Sequence, residues 1–312
     1  MNNLDKNMND NFTVESFVSE ILRFKFSIIT FIIFTSFLGG LSSYLITDIY
    51  KSSTRILISE ESSDLSNIGS SIGGLAALSG LNLDSMGGNK DLKSYSLEYI
   101  KSREFINNFI NKHDLLLPLM ATKSWNKILN EISYDEKKFD IVNKKWIIKS
   151  KPPKGPKPSD QDSYKEFMKI FSLTEERNSN FITLSIEHES PYIAQEWLNL
   201  LVTDLNNVVR EKELSQAQKA LDYLNDVSYS TSIKNIDLVL FDLIESKIRT
   251  IMLANIKDEF IFEIVDPPIV SERRDSPNRI LIALIGTFVG IFMTLIFLIR
   301  SLYLKRNVNE NK

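Results

Sequence analysis

Two long runs without a charged residue constrain the fold of this chain more than any other feature. The first extends from Phe26 to Thr47 and the second from Ile280 to Ile299, 22 and 20 residues. As helices, both are long enough to cross the roughly 30 Å hydrocarbon core of a bilayer. The sequence therefore predicts transmembrane helices at 26–47 and 280–299, which separate an N-terminal segment at 1–25, a domain at 48–279 and a tail at 300–312.

Each apolar run has an alternative interpretation. The first also has the composition of a signal peptide, but a long segment of mixed charge precedes it and no small-residue cleavage site follows, so we interpret it as an uncleaved anchor. The second resembles a buried core helix in composition. Its surface is apolar all round and it ends at Arg300, Lys305 and Arg306, which favours a membrane span.

Two spans place both termini on the same side of the bilayer. Basic residues flank both spans on both sides, so their distribution alone is indecisive. Apolar residues at helical spacing lead into the first span and are typical of a cytoplasmic juxtamembrane helix: Val14, Phe17, Val18, Ile21 and Leu22. We therefore expect both termini in the cytoplasm and residues 48–279 on the opposite side.

The composition excludes several classes of function. The net charge of −3 provides no basic surface for nucleic acid, and the absence of cysteine excludes disulfides and thiolate sites. The two histidines, His113 and His188, have no ligand-spaced partner in the sequence. Glu175 with Glu176 and Asp258 with Glu259 are adjacent, a spacing at which side chains do not face each other. No phosphate-binding, dinucleotide or nucleophile motif is present, so we expect no catalytic residue, cofactor or metal.

The N-terminal half of the domain at 48–279 predicts a mixture of strands and helices. Tyr50–Ser59 is rich in β-formers and predicts a strand, and Ser94–Asn111 has apolar residues at helical spacing. Between them, residues 61–90 combine glycine and serine with scattered leucines, so their order cannot be predicted. Further along, the sequence predicts a short helix at Trp125, Ile128 and Leu129, a buried patch at Trp146–Ile148, and an exposed extended loop at Lys151–Pro158.

The C-terminal half predicts a hairpin, a long helix and a closing strand. Phe171–Thr174 and Phe181–Glu187 flank a polar turn. Ser190–Lys257 has almost no glycine, begins with Pro191 in its first turn and is interrupted by hydroxyl residues at 228–232. Unbroken, this helix would extend about 100 Å, so it would project from the base or pack on other copies. We expect the strand Phe260–Val265 to pair with Tyr50–Ser59.

These segments resemble the chain-length determinant (Wzz-type) family of polysaccharide co-polymerases. The resemblance rests on the two terminal spans, the strand YKSSTRILI, the segment HESPYIAQEWLNLLVTDLN and the run from Leu243 to Arg279. The family motif and membrane junction map to Pro267, Pro268, Pro277, Arg279, Gly286 and Gly290. The last two also form a GxxxG pair, which lets helices approach closely. The junction departs from the family pattern, because 270–275 contains no proline.

The resemblance implies an α+β fold: a membrane-proximal periplasmic α/β base with a long extended helix, flanked by two transmembrane helices. It also implies a bacterial inner-membrane protein that forms a homo-oligomer in the lipid bilayer. Such a protein would act with a membrane polysaccharide polymerase on a lipid-linked glycan. The expected function is non-enzymatic control of the modal chain length of lipopolysaccharide O-antigen.

Two alternatives belong to other classes. One is a chain-length or export component for capsule or exopolysaccharide. A partner that is a transport ATPase and not a polymerase would distinguish an export component from a chain-length regulator. The other is a two-span periplasmic sensor, which the short segments at 1–25 and 300–312 disfavour because they leave little room for a signalling module.

Overall fold

The computed structural model of the chain describes residues 14–58, 92–149, 155–176, 179–230, 234–257 and 259–310. The segment at 61–90 and Asp258 lie outside these residues. The chain forms two compact units. One consists of residues 1–48 and 275–312, and the other of residues 49–274.

Runs of helices and runs of strands follow one another along the chain, as expected for an α+β protein. The helices are α1 (Val14–Ser42), α2 (Leu92–Tyr99), α3 (Arg103–Lys112), α4 (Leu116–Ala121), α5 (Asp160–Ile170), α6 (Pro191–Ser230), α7 (Lys234–Ile256) and α8 (Arg279–Glu310). The strands are β1 (Tyr50–Ile58), β2 (Thr122–Asn126), β3 (Glu131–Tyr134), β4 (Phe139–Asp140), β5 (Lys145–Trp146), β6 (Phe171–Glu175), β7 (Phe181–His188) and β8 (Phe262–Asp266).

The first unit is built from α1 and α8, which pack side by side. Both helices are long and apolar enough to cross a membrane, over Ile21–Leu45 and Arg279–Arg300. Their apolar side chains point outward: Phe26 is 76% exposed and Phe292 65% exposed. A core helix of a water-soluble protein would bury such residues, so this surface suits a lipid environment. The apolar spans of the two helices overlap the predicted ones at 26–47 and 280–299, although α1 begins before the first and α8 continues past the second.

The second unit is centred on an antiparallel sheet in the order β6-β7-β1-β8. β1 pairs with β7 along its length, from Tyr50 opposite His188 to Leu57 opposite Phe181. On its other edge β1 pairs with β8, with an irregularity between Arg55 and Ile56. The predicted hairpin at β6 and β7 and the predicted pairing of the first and last strands are therefore confirmed.

Helices α3, α5 and α6 cover the apolar side of this sheet. The core includes Phe109 from α3, Phe167 from α5 and Trp197 from α6, all nearly fully buried. They pack on alternate residues of β7, which are also buried: Ile182, Leu184 and Ile186. Buried side chains recur with a period of two along β7 and with the helical period along α6. Each element therefore presents one apolar face to the other.

The helix predicted at Ser94–Asn111 is wrong in its continuity, since two helices occupy this stretch. Ser102 interrupts it with an extended backbone, and its side chain accepts a hydrogen bond from the Phe105 N–H. A serine in this position satisfies an amide of the first turn that has no partner within the helix. The chain therefore starts a new helix, α3, at Arg103.

The short helix predicted around Trp125 is also wrong, because this segment forms the hairpin β2–β3. The Asn126 side chain accepts hydrogen bonds from the Ile128 and Leu129 N–H groups, and Asn130 has a φ of 52°. Asparagine tolerates this conformation and favours a turn over a helix. The apolar pair Ile128 and Leu129 lies at the tip of the turn instead of on a buried helix face.

The predicted buried patch at Trp146–Ile148 is wrong as well. Trp146 contacts the edge of the Phe139 ring but remains half-buried, and Ile147 is exposed. Two paired residues on each strand are too few to cover these side chains. Of the predicted loop at Lys151–Pro158, the structure describes 155–158, which are mostly exposed.

The long helix predicted at Ser190–Lys257 is interrupted where the hydroxyl cluster indicated, since α6 ends at Ser230. Its 40 residues correspond to about 60 Å. Glu213 of α6 interacts with Lys247 of α7, and the two helices lie side by side. The segment is therefore a helical hairpin, and its two helices do not form the unbroken length of about 100 Å.

Candidate functional site

The described residues hold no group of three histidine, cysteine or carboxylate side chains that would bind a metal. The two histidines instead connect structural elements. The buried His188 accepts a hydrogen bond at Nδ1 from the Ser190 N–H (3.0 Å) and donates from Nε2 to the Pro118 carbonyl (3.3 Å). Burial lowers the pKa of His188, which favours the neutral ring that these contacts require.

The other histidine belongs to an ionic cluster that joins α3 to α6. Asp204 is buried, and its two oxygens lie 2.7 Å from Lys112 Nζ and 2.8 Å from His113 Nε2. The sequence separation of about ninety residues hides this carboxylate from a search for local motifs. A buried carboxylate needs such partners because removing it from water is costly.

The adjacent glutamates behave as surface residues. Arg55 donates to Glu176 over 2.6 Å and also lies over the Phe181 ring. Hydrogen bonding to Arg55 lowers the pKa of Glu176. The contact links β1 to the β6–β7 turn, and it gives no arrangement for acid-base chemistry.

Glycines bring the two membrane-spanning helices into close contact. A Cβ atom added to Gly286 would lie 2.8 Å from the backbone oxygen of Thr35, and one added to Gly290 would overlap the Thr35 hydroxyl. Gly39 of α1 faces the same contact, where an added Cβ would lie 3.3 Å from Gly286 Cα. Both members of the GxxxG pair therefore lie against α1, and small residues allow this spacing.

Hydroxyl groups add to this packing. The Ser36 hydroxyl donates across the pair to the Ala283 carbonyl at 3.4 Å. Thr35 donates to its own helix at Ile32, so its polar atom is satisfied without water. The sequence indicated only weakly that α1 contacts the GxxxG pair, because Thr35 and Ser36 are ordinary residues in an apolar run.

Arg279 lies at the start of α8 and closes the same unit. Its guanidinium donates to Asp48 at 3.0 Å and lies over the Tyr44 ring at 4.1 Å. Both partners follow α1, so one side chain holds the ends of both spans together. Pro277 precedes Arg279 and is half-buried, after a cis peptide bond with Ser276.

The other two prolines of the predicted motif belong to the second unit. Pro267 is exposed and follows β8 directly, whereas Pro268 is buried and accepts a hydrogen bond from Gln195 of α6 at 3.2 Å. The next residue, Ile269, accepts from the Ser52 hydroxyl of β1. Through these contacts, the segment after β8 continues along β1 beyond the last residue of β8 that pairs with it. Regular pairing does not continue there because proline has no backbone N–H to donate.

A buried asparagine fixes α6 to β8. The Asn206 Oδ1 accepts from the Phe262 N–H (2.9 Å) and the Ile261 N–H (3.3 Å), while its Nδ2 donates to the Phe262 carbonyl (3.0 Å). Sequence analysis missed this residue because nothing local distinguishes it from exposed asparagines of the same helix.

The hairpin of α6 and α7 presents an apolar face to solvent. Along α7, small or polar residues face inward and are buried: Ser246, Thr250 and Ala254. The opposite face exposes large apolar side chains at spacings of seven and four residues, which place them on one stripe: Phe241, Ile248, Met252 and Ile256. We call these four residues the α7 stripe.

Comparison with known proteins finds one family model that matches the N-terminal third of the chain. The model of the Wzz family, described as chain length determinant protein, matches residues 10–113. This match confirms the family resemblance that the sequence predicted. No curated protein matches the sequence.

The solved structures to which the chain shows a similarity include two polysaccharide co-polymerases. A full-length bacterial polysaccharide co-polymerase shares 13% identity at a TM-score of 0.36, covering 93% of this chain and 97% of that one. A fragment of WzzB, a polysaccharide co-polymerase from Salmonella Typhimurium, shares 12% identity at a TM-score of 0.23, covering 74% of this chain and all of the fragment. Superposition at these scores is too loose to compare individual residues.

Proposed function

We propose that this relative of the Wzz chain length determinants sets the modal length of lipopolysaccharide O-antigen without catalysing a reaction itself. The family match over residues 10–113 carries the proposal. That segment includes the first membrane-spanning helix, the central strand β1, and the helices α2 and α3. A protein of this kind influences polymerisation by binding and organising a separate membrane polysaccharide polymerase and its lipid-linked glycan.

Exposed apolar surface on α1 and α8 supports a location in the bacterial inner membrane. The apolar residues at helical spacing that lead into the first span, typical of a cytoplasmic juxtamembrane helix, favour cytoplasmic termini, with residues 48–279 in the periplasm. In this arrangement the domain at 48–279 is the part of the chain that meets the growing glycan. Pro267, Pro268, Pro277 and Arg279 then form the junction between the domain and the second span.

The α7 stripe supports a homo-oligomeric scaffold. Four large apolar side chains on one helix face are costly to leave in water, and a second copy of the chain offers a matching apolar face. Replacing Ile248 and Met252 by serine should lower the oligomeric state of the full chain in detergent, measured by light scattering. Gln218→Ser, at an exposed position of α6, is the control and should leave the mass unchanged.

The function is tested by a gel ladder of surface lipopolysaccharide. Deletion of the gene should replace the preferred band cluster by a smooth decay of lengths, and the wild-type chain should restore the cluster. The Ile248→Ser, Met252→Ser double variant should fail to restore it, whereas Gln218→Ser should succeed. An unchanged ladder after deletion would refute the O-antigen proposal and direct the same test to capsule and exopolysaccharide.

A further inference from the structure

The turn between β2 and β3 holds two apolar side chains in solvent. Ile128 is 92% exposed and Leu129 64% exposed. The turn is not loose, because Asn126 accepts hydrogen bonds from both of their N–H groups. The Trp125 indole also donates to the Asn130 side chain at 2.9 Å. The backbone is therefore fixed in a form that keeps Ile128 and Leu129 pointing outward.

Basic residues surround this tip. Lys123 and Lys127 flank it and are exposed. Residues 122–149 contain seven lysines and four acidic residues, although the whole chain has a net charge of −3. The segment thus concentrates positive charge around an apolar tip. Such a combination suits a surface that has anionic groups outside and hydrocarbon within.

Aromatic contacts attach the tip to the start of β1. The Trp125 ring meets the Tyr50 ring edge-on at 5.5 Å, and Lys127 Nζ lies 5.3 Å from the centre of the same ring. Tyr50 follows the end of the first apolar run, Thr47, by three residues. Three residues of extended chain reach at most about 11 Å, so the covalent chain itself keeps Tyr50 close to the bilayer surface.

From these observations we propose that the β2–β3 tip binds the surface of the lipid bilayer. Ile128 and Leu129 enter the interfacial region of the leaflet, and Lys123 and Lys127 lie beside its phosphate groups. The partner is an anionic phospholipid surface. The inference rests on the proposed membrane anchoring of the chain and is independent of which polysaccharide it regulates.

The test uses the full chain in vesicles of phosphatidylethanolamine and phosphatidylglycerol. Because the chain has no cysteine, Ile128→Cys introduces a single attachment site for a bimane label. Two quenchers are compared, a nitroxide on the lipid acyl chain near the headgroup and iodide in water. Controls are Gln218→Cys, on α6, and Val142→Cys, which replaces a 91% exposed apolar residue in a different two-stranded sheet.

The label at position 128 should be quenched by the nitroxide lipid and protected from iodide, and the label at position 218 should show the reverse. Iodide quenching at 128 equal to that at 218 would overturn the proposal, because the tip would then lie in water. Protection from both quenchers would overturn it as well, since a protein partner would cover the tip. Val142→Cys quenched by the lipid as strongly as Ile128→Cys would refute the assignment to this tip.

The same samples distinguish this inference from the proposed function. Complementation of the lipopolysaccharide ladder by the Ile128→Cys chain, before labelling, reports on chain-length control alone. A preferred band cluster with a water-exposed tip would refute only the lipid contact. A lipid-embedded tip in a chain whose deletion leaves the ladder unchanged would refute only the O-antigen function.

Discussion

Replacement of Asn206 by leucine should destabilise the second unit more than any comparable change on α6. Leucine has nearly the same shape as asparagine but cannot hydrogen-bond. Three backbone groups of Ile261 and Phe262 would lose their partner, and both residues are fully buried. Water cannot reach these groups without opening the contact between α6 and β8.

The magnitude follows from the number of groups left without a partner. Each buried unsatisfied donor or acceptor costs about 1–3 kcal/mol, so three of them give a loss of about 3–9 kcal/mol. A loss of that size is a large fraction of the roughly 5–15 kcal/mol that stabilises a typical folded domain. With a urea dependence of about 3 kcal/mol per molar, the unfolding midpoint should fall by about 1–3 M.

Tryptophan fluorescence of the full chain in detergent micelles measures this effect selectively. All three tryptophans, Trp125, Trp146 and Trp197, belong to the unit formed by residues 49–274. The matched control is Asn199→Leu, because Asn199 lies on the same helix at an exposed position where such changes cost about 0.5 kcal/mol or less. Equal midpoints for the two variants would refute the argument that the Asn206 amide holds β8 in place.

Two further predictions concern protonation and the membrane helices. Burial lowers the pKa of His188 in the folded chain. Below about pH 6.5 the unfolded chain therefore binds a proton at this histidine more readily than the folded chain does. The free energy of unfolding should therefore fall with decreasing pH there, by up to about 1.4 kcal/mol per unit. His188→Gln should remove that part of the slope in urea titrations, and an identical slope in both proteins would contradict it. Gly286→Ala should weaken the contact of α8 with α1, lowering disulfide formation between cysteines placed at Phe24 and Phe297, whose rings lie 6.3 Å apart. Gly40→Ala, where the added Cβ meets only ordinary contact, should leave cross-linking unchanged, and equal yields in both variants would show that Gly286 is not needed for close approach.

The sequence predicted the elements whose signal is local and repeated. Charge-free runs of twenty residues indicated both spans, and dense β-formers indicated β1 and β7. Pro191 marked the start of α6 because its missing N–H costs nothing in a first turn. The pairing of β1 with β8 was also predicted, from the proximity of both strands to the spans along the chain.

The errors arose where a few polar side chains decide the backbone. Ser102 and Asn126 each replace a helical hydrogen bond by one from their own side chain, so apolar spacing alone misassigned both segments. Contacts such as His113 with Asp204 join residues far apart in the sequence, and no local pattern predicts them. The partner of the GxxxG pair was indicated in part, because Gly39 and Gly40 form a patch of small residues in the first span, but Thr35 became distinctive only beside Gly286.

Buried polar residues of α6 explain how the hairpin of α6 and α7 presents a defined surface. Asp204 joins the helix to α3, and two residues later Asn206 joins it to β8. These polar contacts have directional geometry, so they restrict rotation of α6 more tightly than apolar packing alone. The same helix also packs on α7. The contacts of Asp204 and Asn206 therefore fix the orientation of the α7 stripe. A change at Asn206 should disturb oligomer formation even though no residue of the stripe is altered.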